Sequence, residues 1–263
     1  MAVDWLEVVI LFVAGTATGT INSVVGSGSL VTFPVLVALG YPPVLANVTN
    51  NIGILPGSIS GAVAYRSELK GHFRAVLPLA AFSAVGGVCG ALLLLVLPAA
   101  AFDTIVPILI LLACVLVVAG PWLKRWAAAR QAQVESLPVQ RGESAPRRRV
   151  ALWTSTGLTG VYGGYFGAAQ GVILLAILPM LLSGGLQRAN AYKNILAAVA
   201  NGAAAVVFAF TVPIAWFAAL VIAVGATLGG QIGGRLAQRL PPSVFRVIIV
   251  LIGVIAIVYF YVR

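Results

Sequence analysis

Apolar residues run through this chain in long unbroken blocks, without the strict alternation of half-buried strands. Such blocks cover residues 5–21, 44–65, 75–97, 102–118, 189–212, 214–236 and 243–262. Each is close to the roughly 20 residues that carry a helix across a bilayer's hydrocarbon core. Two stretches break the pattern. Gly26-Ser27-Gly28-Ser29 interrupts the first block, which resumes over 30–39 with Pro34 inside. At 1.5 Å per residue this second run covers roughly 15 Å, half of the core. The block 151–182 is broken in the same way, by Gly163-Gly164 and between Gly167 and Gly171. A membrane barrel would show alternating segments of about ten residues. The continuous runs predict an all-α polytopic membrane protein with short or broken helices at the Gly-rich motifs.

The pattern repeats. Gly19 and Gly160, and Gly26 and Gly167, are 141 residues apart. Beyond a two-residue shift the spacing becomes 143. It relates Ala46-Asn47 to Ala189-Asn190, Asn51 to Asn194, Gly86-Gly87 to Gly229-Gly230, Gly90 to Gly233, Leu97-Pro98 to Leu240-Pro241, and Phe102 to Phe245. Charge gives the direction. The basic loop 66–74 corresponds to uncharged 209–217. The loop around Pro98 holds Asp103 and no Lys or Arg, whereas its partner around Pro241 holds Arg235, Arg239 and Arg246. The uncharged turn 40–45 corresponds to the one with Arg188. Cytoplasmic loops collect Lys and Arg, so corresponding loops are expected on opposite sides. The reading is two inverted repeats of about five helical segments each. They span 1–122 and 150–263, joined by a basic linker, 123–149. Both termini are expected outside and the linker in the cytoplasm.

Composition narrows the class. The chain is 61% hydrophobic and 8% charged, with a net charge of +10, where a soluble domain carries roughly 25% charged residues. The positive charge sits mostly in loops, so it reads as a topology signal and not as a nucleic-acid surface. Asp4 and Glu7 at the N-terminus do not make the basic region of a cleavable signal. Cys89 and Cys114 lie inside apolar runs and give no metal-ligand spacing. No cofactor, metal or catalytic group is expected, and the protein is read as a non-enzyme.

The candidate chemistry lies at the breaks. Polar groups in lipid cost several kcal/mol when unsatisfied. Asn22, Asn47, Thr49, Asn50, Asn51 and the second-half residues Gln170, Asn190, Asn194 and Asn201 must therefore face protein or water. Interhelical hydrogen bonding alone is the plain alternative. Gly26, Gly28, Gly167 and Gly171 let backbone approach a ligand. Lys193 stands where the first half has Asn50. It either serves the site or snorkels to the interface near Arg188. Half-helix N-termini offer N–H groups and a positive dipole end. Donors, a cation and helix ends together favour a small anion as substrate. All six acidic residues lie in tails, loops or helix ends, so a coupling ion, H+ or Na+, is not identified. The lipid bilayer is the other expected partner, nucleic acid is not one, and a homodimer is compatible with the sequence.

With those residues in place, the chain resembles the sulfite exporter TauE/SafE family. The resemblance rests on G-T-I-N-S-V-V-G-S-G-S (19–29), Pro34, A-N-V-T-N-N (46–51), G-S-I-S-G-A-V-A-Y-R (57–66) and K-G-H-F-R (70–74). It implies a multi-pass plasma-membrane permease moving sulfite, organosulfonates or related anions. The second half departs from the family pattern at Tyr162-Gly163-Gly164-Tyr165 and Gly167-Ala168-Ala169-Gln170-Gly171, and Phe73 stands where the family often has Trp. The expected mechanism is export by alternating access at the repeat interface. The alternatives are a non-transporting membrane subunit and a permease for an unrelated small solute.

Overall fold

The computed structural model describes residues 5–69, 71, 73–136, 144–181, 185–236 and 242–262. They form ten α-helices: α1 (Trp5–Val24), α2 (Ser29–Ala38), α3 (Pro43–Ala64), α4 (Phe73–Val96), α5 (Ala99–Ser136), α6 (Ser144–Tyr165), α7 (Gln170–Leu181), α8 (Gly185–Thr211), α9 (Trp216–Leu236) and α10 (Pro242–Val262). One 3-10 turn, Arg66–Leu69, follows α3. His72 and the middle of the basic segment, 137–143, lie outside the described residues.

The repeat is visible in the helix boundaries. α1 and α6 end, and α2 and α7 begin, 141 residues apart; α4 and α9, and α5 and α10, begin 143 residues apart. Among the described residues five helical segments are long and apolar enough to cross a membrane: α1, α4, 99–123 of α5, 187–211 of α8 and 216–233 of α9. α3 has 22 residues, but its Asn residues dilute its apolar character.

The basic segment 123–149 holds more helix than a linker reading implies. α5 continues through Trp-Ala-Ala-Ala-Arg-Gln-Ala-Gln to Ser136, and α6 begins at Ser144. Ala, Arg and Gln are good helix formers, and no Gly or Pro falls between Trp122 and Ser136. Charge marked where the apolar run stops, not where the helix stops.

In the first repeat the broken helix is a hairpin. Thr18 Oγ1 on α1 donates to the Gly28 carbonyl at 3.1 Å and to Thr32 Oγ1 on α2 at 3.3 Å. At the mouth, the Tyr41 hydroxyl donates to Glu7 Oε1 at 2.6 Å. The chain thus enters along α1, turns at 25–28, and returns along α2 to where it started. Burial, and then the Glu7 carboxylate beside it, push the Tyr41 phenol up to about 12, so it remains a donor.

The two repeats interlock. α4 packs on α6 and α8 of the other half, and α9 packs on α1 and α3; α5 lies on α7 and α10 on α2. Glycines set these approaches reciprocally. A Cβ at Gly86 would strike the Gly157 carbonyl, and one at Gly229 the Thr16 carbonyl, positions 141 apart. Gly87 meets Ala200 as Gly230 meets Gly57, and Gly90 meets Val161 as Gly233 meets Thr20. Small and hydroxylated residues face inward, while Val13, Leu77, Leu111, Phe210, Leu220 and Ile255 are exposed. In water that coat would be a liability. In lipid, helices associate through small residues and leave large apolar ones outside.

Candidate functional site

The two hairpin tips touch. Val25 and Gly26 both donate their N–H to the Ile21 carbonyl, at 2.7 and 3.2 Å; Phe166 and Gly167 both donate to Tyr162, at 3.0 and 2.9 Å. Each cap ends on a left-handed glycine, Gly26 at φ +89° and Gly167 at φ +74°, where any other residue is strained. The Gly171 N–H then donates to the Gly26 carbonyl at 3.0 Å, joining one tip to the other. A Cβ at Gly26 would lie 2.6 Å from the Gly171 Cα, and one at Gly171 2.5 Å from the Gly26 Cα. Only paired glycines allow this contact. It sets the first turns of α2 and α7, the positive ends of two short helices, beside each other.

Around the tips stand α3 and α8, which pack on each other. Asn47, Asn51 and Ser58 fall on one stripe of α3, and their counterparts Asn190, Asn194 and Asn201 on one stripe of α8; all are buried. Several are committed to holding the tips. Asn47 Nδ2 donates to the Tyr165 carbonyl at the end of α6, 2.9 Å away. Asn22 Nδ2 donates to Ser58 Oγ at 3.1 Å. Asn50 Oδ1 accepts from Thr32 Oγ1. Gly28 is needed for packing inside its own hairpin: a Cβ there would sit 2.5 Å from the Thr18 carbonyl. Thr49 turns away from the tips, and its hydroxyl accepts the Ala215 N–H at 3.3 Å.

Lys193 is 1% exposed. Its ammonium lies inside the protein. Nζ donates to the carbonyls of Asn22 at 2.8 Å and Ser23 at 3.2 Å. These sit at the C-terminal, negative end of α1, where a cation is favoured. A lysine of the second repeat thus caps the helix that leads into the first tip.

Other polar atoms in this region are buried with no hydrogen-bond partner: Ser27 Oγ, Asn51 Oδ1, Gln170 Nε2, Asn190 Oδ1, Asn194 Nδ2 and Asn201 Oδ1. Ser27 and Gln170 belong to the tips themselves. Gln170 lies over Gly163, 2.5 Å from where a Cβ would be. Asn194 Nδ2 lies 3.4 Å, and Ser23 Oγ 3.0 Å, from a Cβ built on Gly61; Asn201 Oδ1 lies 3.8 Å from one on Gly167. Each such atom costs about 1–3 kcal/mol, so a cluster of them marks a place where a polar ligand would be welcome. The sequence reading missed Ser27 and the hairpin-internal pair Thr18 and Thr32. For Thr32 the signal was available, since a hydroxyl within an apolar half-length helix needs a reason.

The chain matches the family described as sulfite exporter TauE/SafE over residues 11–260. It belongs to the sulfite exporter TauE/SafE family. It is 28% identical over 248 residues to a probable membrane transporter protein, ORF9, of Sinorhizobium sp, covering 93% of this chain and 88% of the relative. It is 29% identical over 247 residues to the probable membrane transporter protein YfcA of Escherichia coli K12, covering 94% and 86%. No solved structure matches it. The protein is therefore a multi-pass membrane transporter of the TauE/SafE family.

Proposed function

We propose that the protein moves a small anion of the sulfite or sulfonate class out of the cell, across the plasma membrane, by alternating access at the seam between the hairpin tips. It transports its substrate without converting it, and needs no cofactor. The observation that carries this reading is the group of six buried, unpartnered polar atoms around that seam, beside the buried Lys193 ammonium. Ser27, Gln170 and Asn194 offer donors for anion oxygens. The α2 and α7 N-termini and Lys193 supply positive potential. Asn51, Asn190 and Asn201 carry amide N–H groups as well as their carbonyls, so a turn of each amide presents a donor. The name of the family supports a sulfur oxyanion.

Hairpin geometry supports inversion of the repeats. A hairpin that returns to its own mouth adds no net crossing, which leaves three crossings by α3, α4 and α5. A second copy entering after an odd number of crossings runs the opposite way. The basic loops fit that arrangement with both termini outside and the basic segment 123–149 in the cytoplasm. Inverted repeats with discontinuous helices are a common transporter design, with the substrate near the midplane. The membrane potential supplies roughly 2.3 kcal/mol per charge per 100 mV, enough to drive an anion outward without a coupling ion. Labelled sulfite flux into and out of proteoliposomes, with an imposed potential, with and without sodium, and with sulfonates as competitors, tests this. The expected result is saturable, potential-driven flux that sulfonates inhibit and sodium does not alter. Flux no faster than through protein-free liposomes, for sulfite and sulfonates alike, overturns it.

A further inference from the structure

Away from the tips, an apolar groove of about 300 Å³ opens on the outer surface between α3 and α8. Ile59, Ala62 and Val63 line it from α3, and Ile195, Ala198 and Val199 from α8. Arg66, exposed, stands at its end. From Ile59 to Arg66 the groove follows α3 for roughly 10 Å, about two-thirds of one leaflet's hydrocarbon depth. The positions related by the repeat carry different residues. There Leu55 stands where the groove has Ala198, and it packs on Gly202, which stands where the groove has Ile59; the Leu55 Cδ1 is 3.6 Å from a Cβ built on that glycine. The position related to Arg66 is Ala209. So the repeat carries over neither the small residue of the slot nor its cation: Leu55 and Ala209 take the places of Ala198 and Arg66.

We propose that this groove is a binding site for an anionic phospholipid, with one acyl chain between α3 and α8 and the headgroup phosphate on Arg66. Charge complementarity selects this occupant. The slot accepts hydrocarbon and offers nothing polar along its length, and its guanidinium matches a phosphate with paired donors. The proposal rests on the orientation given above, which puts Arg66 at the cytoplasmic leaflet, where anionic lipid headgroups attract basic residues. The occupant would wedge against the two helices that carry the Asn stripes. A lipid there would bear directly on how far α3 and α8 can move at the site.

The test is a binding measurement, independent of flux. Purified protein in detergent is exposed to phosphatidylglycerol or phosphatidylcholine with the same acyl chains, and retained lipid is counted by native mass spectrometry. The wild type should retain phosphatidylglycerol about five-fold better, the scale of one basic group near a headgroup. Soluble glycerol phosphate should not displace it, which separates a lipid from a free phosphate. Arg66→Gln, at an exposed position, should remove the preference and keep weak binding of both lipids. Ala198→Leu, which copies Leu55 into the groove, should reduce retention of both. Equal retention of the two lipids by the wild type overturns the proposal. A preference that survives Arg66→Gln, or displacement by glycerol phosphate, does the same. If proteoliposomes carry no anion while the lipid preference holds, the transport reading fails and this site stands.

Discussion

The two hairpins share a backbone and differ in what meets their tips. At the second, Asn47 donates to the Tyr165 carbonyl, and rings close in around it. Phe33 and Phe166 are edge-to-face at 5.1 Å, and Phe102 lies 5.8 Å from Tyr165 and 6.4 Å from Phe166. At the first tip, Val24, Val25 and Leu174 stand where the second has Tyr165, Phe166 and Phe33. There the Lys193 ammonium holds the carbonyls of Asn22 and Ser23. One tip is fixed by dispersion and aromatic geometry, which no small anion perturbs. The other is fixed by a cation whose bonds to two carbonyls an anion can contest. Tips with the same cap geometry can thus be given different duties by a few side chains, Asn50 against Lys193 among them.

The largest expected effect comes from erasing that difference. Lys193→Asn gives the second repeat the first repeat's residue. A hydrogen bond to a charged group is worth roughly 1.5–3 kcal/mol and Lys193 makes two, so sulfite flux should drop about 100-fold or more with protein still present in the membrane. Lys193→Ala should do the same. Flux at wild-type level in both variants, at equal protein in the vesicles, defeats the role given to Lys193.

The next effect should fall on stability and spare selectivity. Phe33 is fully buried. Phe33→Ala should lower unfolding free energy by about 3–5 kcal/mol, read as a lower melting temperature in detergent. The ranking of sulfite against sulfonates among surviving molecules should be unchanged. A changed ranking would mean that the aromatic tip also touches substrate.

What could be read from the chain divides along the same line. The spans were legible because the membrane fixes their length, and the repeat because glycines at one spacing make the same contacts twice. The interlocking was not. Gly86 and Gly229 read as matching positions of a repeat, but nothing in their own helices says that each faces the opposite repeat. The polar residue types at the site were legible too, as amides beside broken helices. Their duties were not, since neighbours in sequence are about 100° apart on a helix. Thr49, Asn50 and Asn51 look like one group, yet Thr49 serves Ala215, Asn50 serves Thr32, and Asn51 Oδ1 has no partner. Only the meeting of the tips decides which atoms are left over.

Those leftover atoms allow a sharper test. Ser27 Oγ is buried at the first tip without a partner. If it served only the fold, removing it would change little beyond stability. Ser27→Ala should instead raise stability by about 1 kcal/mol, the penalty for an unpaired buried group, and lower sulfite flux roughly ten-fold, as expected for losing one charge-assisted hydrogen bond to the anion. Stability and flux moving in opposite directions is the signature sought. A variant less stable than wild type means that the hydroxyl has a structural partner after all.

The smallest effect concerns the hairpin mouth. Tyr41 and Glu7 close the first hairpin, whereas at a spacing of 141 the second has Leu182 and Arg148, residues that cannot form a hydroxyl–carboxylate bond. Tyr41→Phe should cost about 1 kcal/mol of stability and leave flux alone, since the mouth is far along the chain from the tip. The fold raises this phenol from 10.0 to about 12. A raised value means that the contribution is complete below about pH 10 and is lost as pH rises from there towards 12. Melting curves for wild type and Tyr41→Phe should therefore run parallel from neutral pH to about 10 and draw together above it. A gap that stays constant through that upper range would mean that the fold does not oppose ionisation of this phenol, against both its burial and its bond with Glu7.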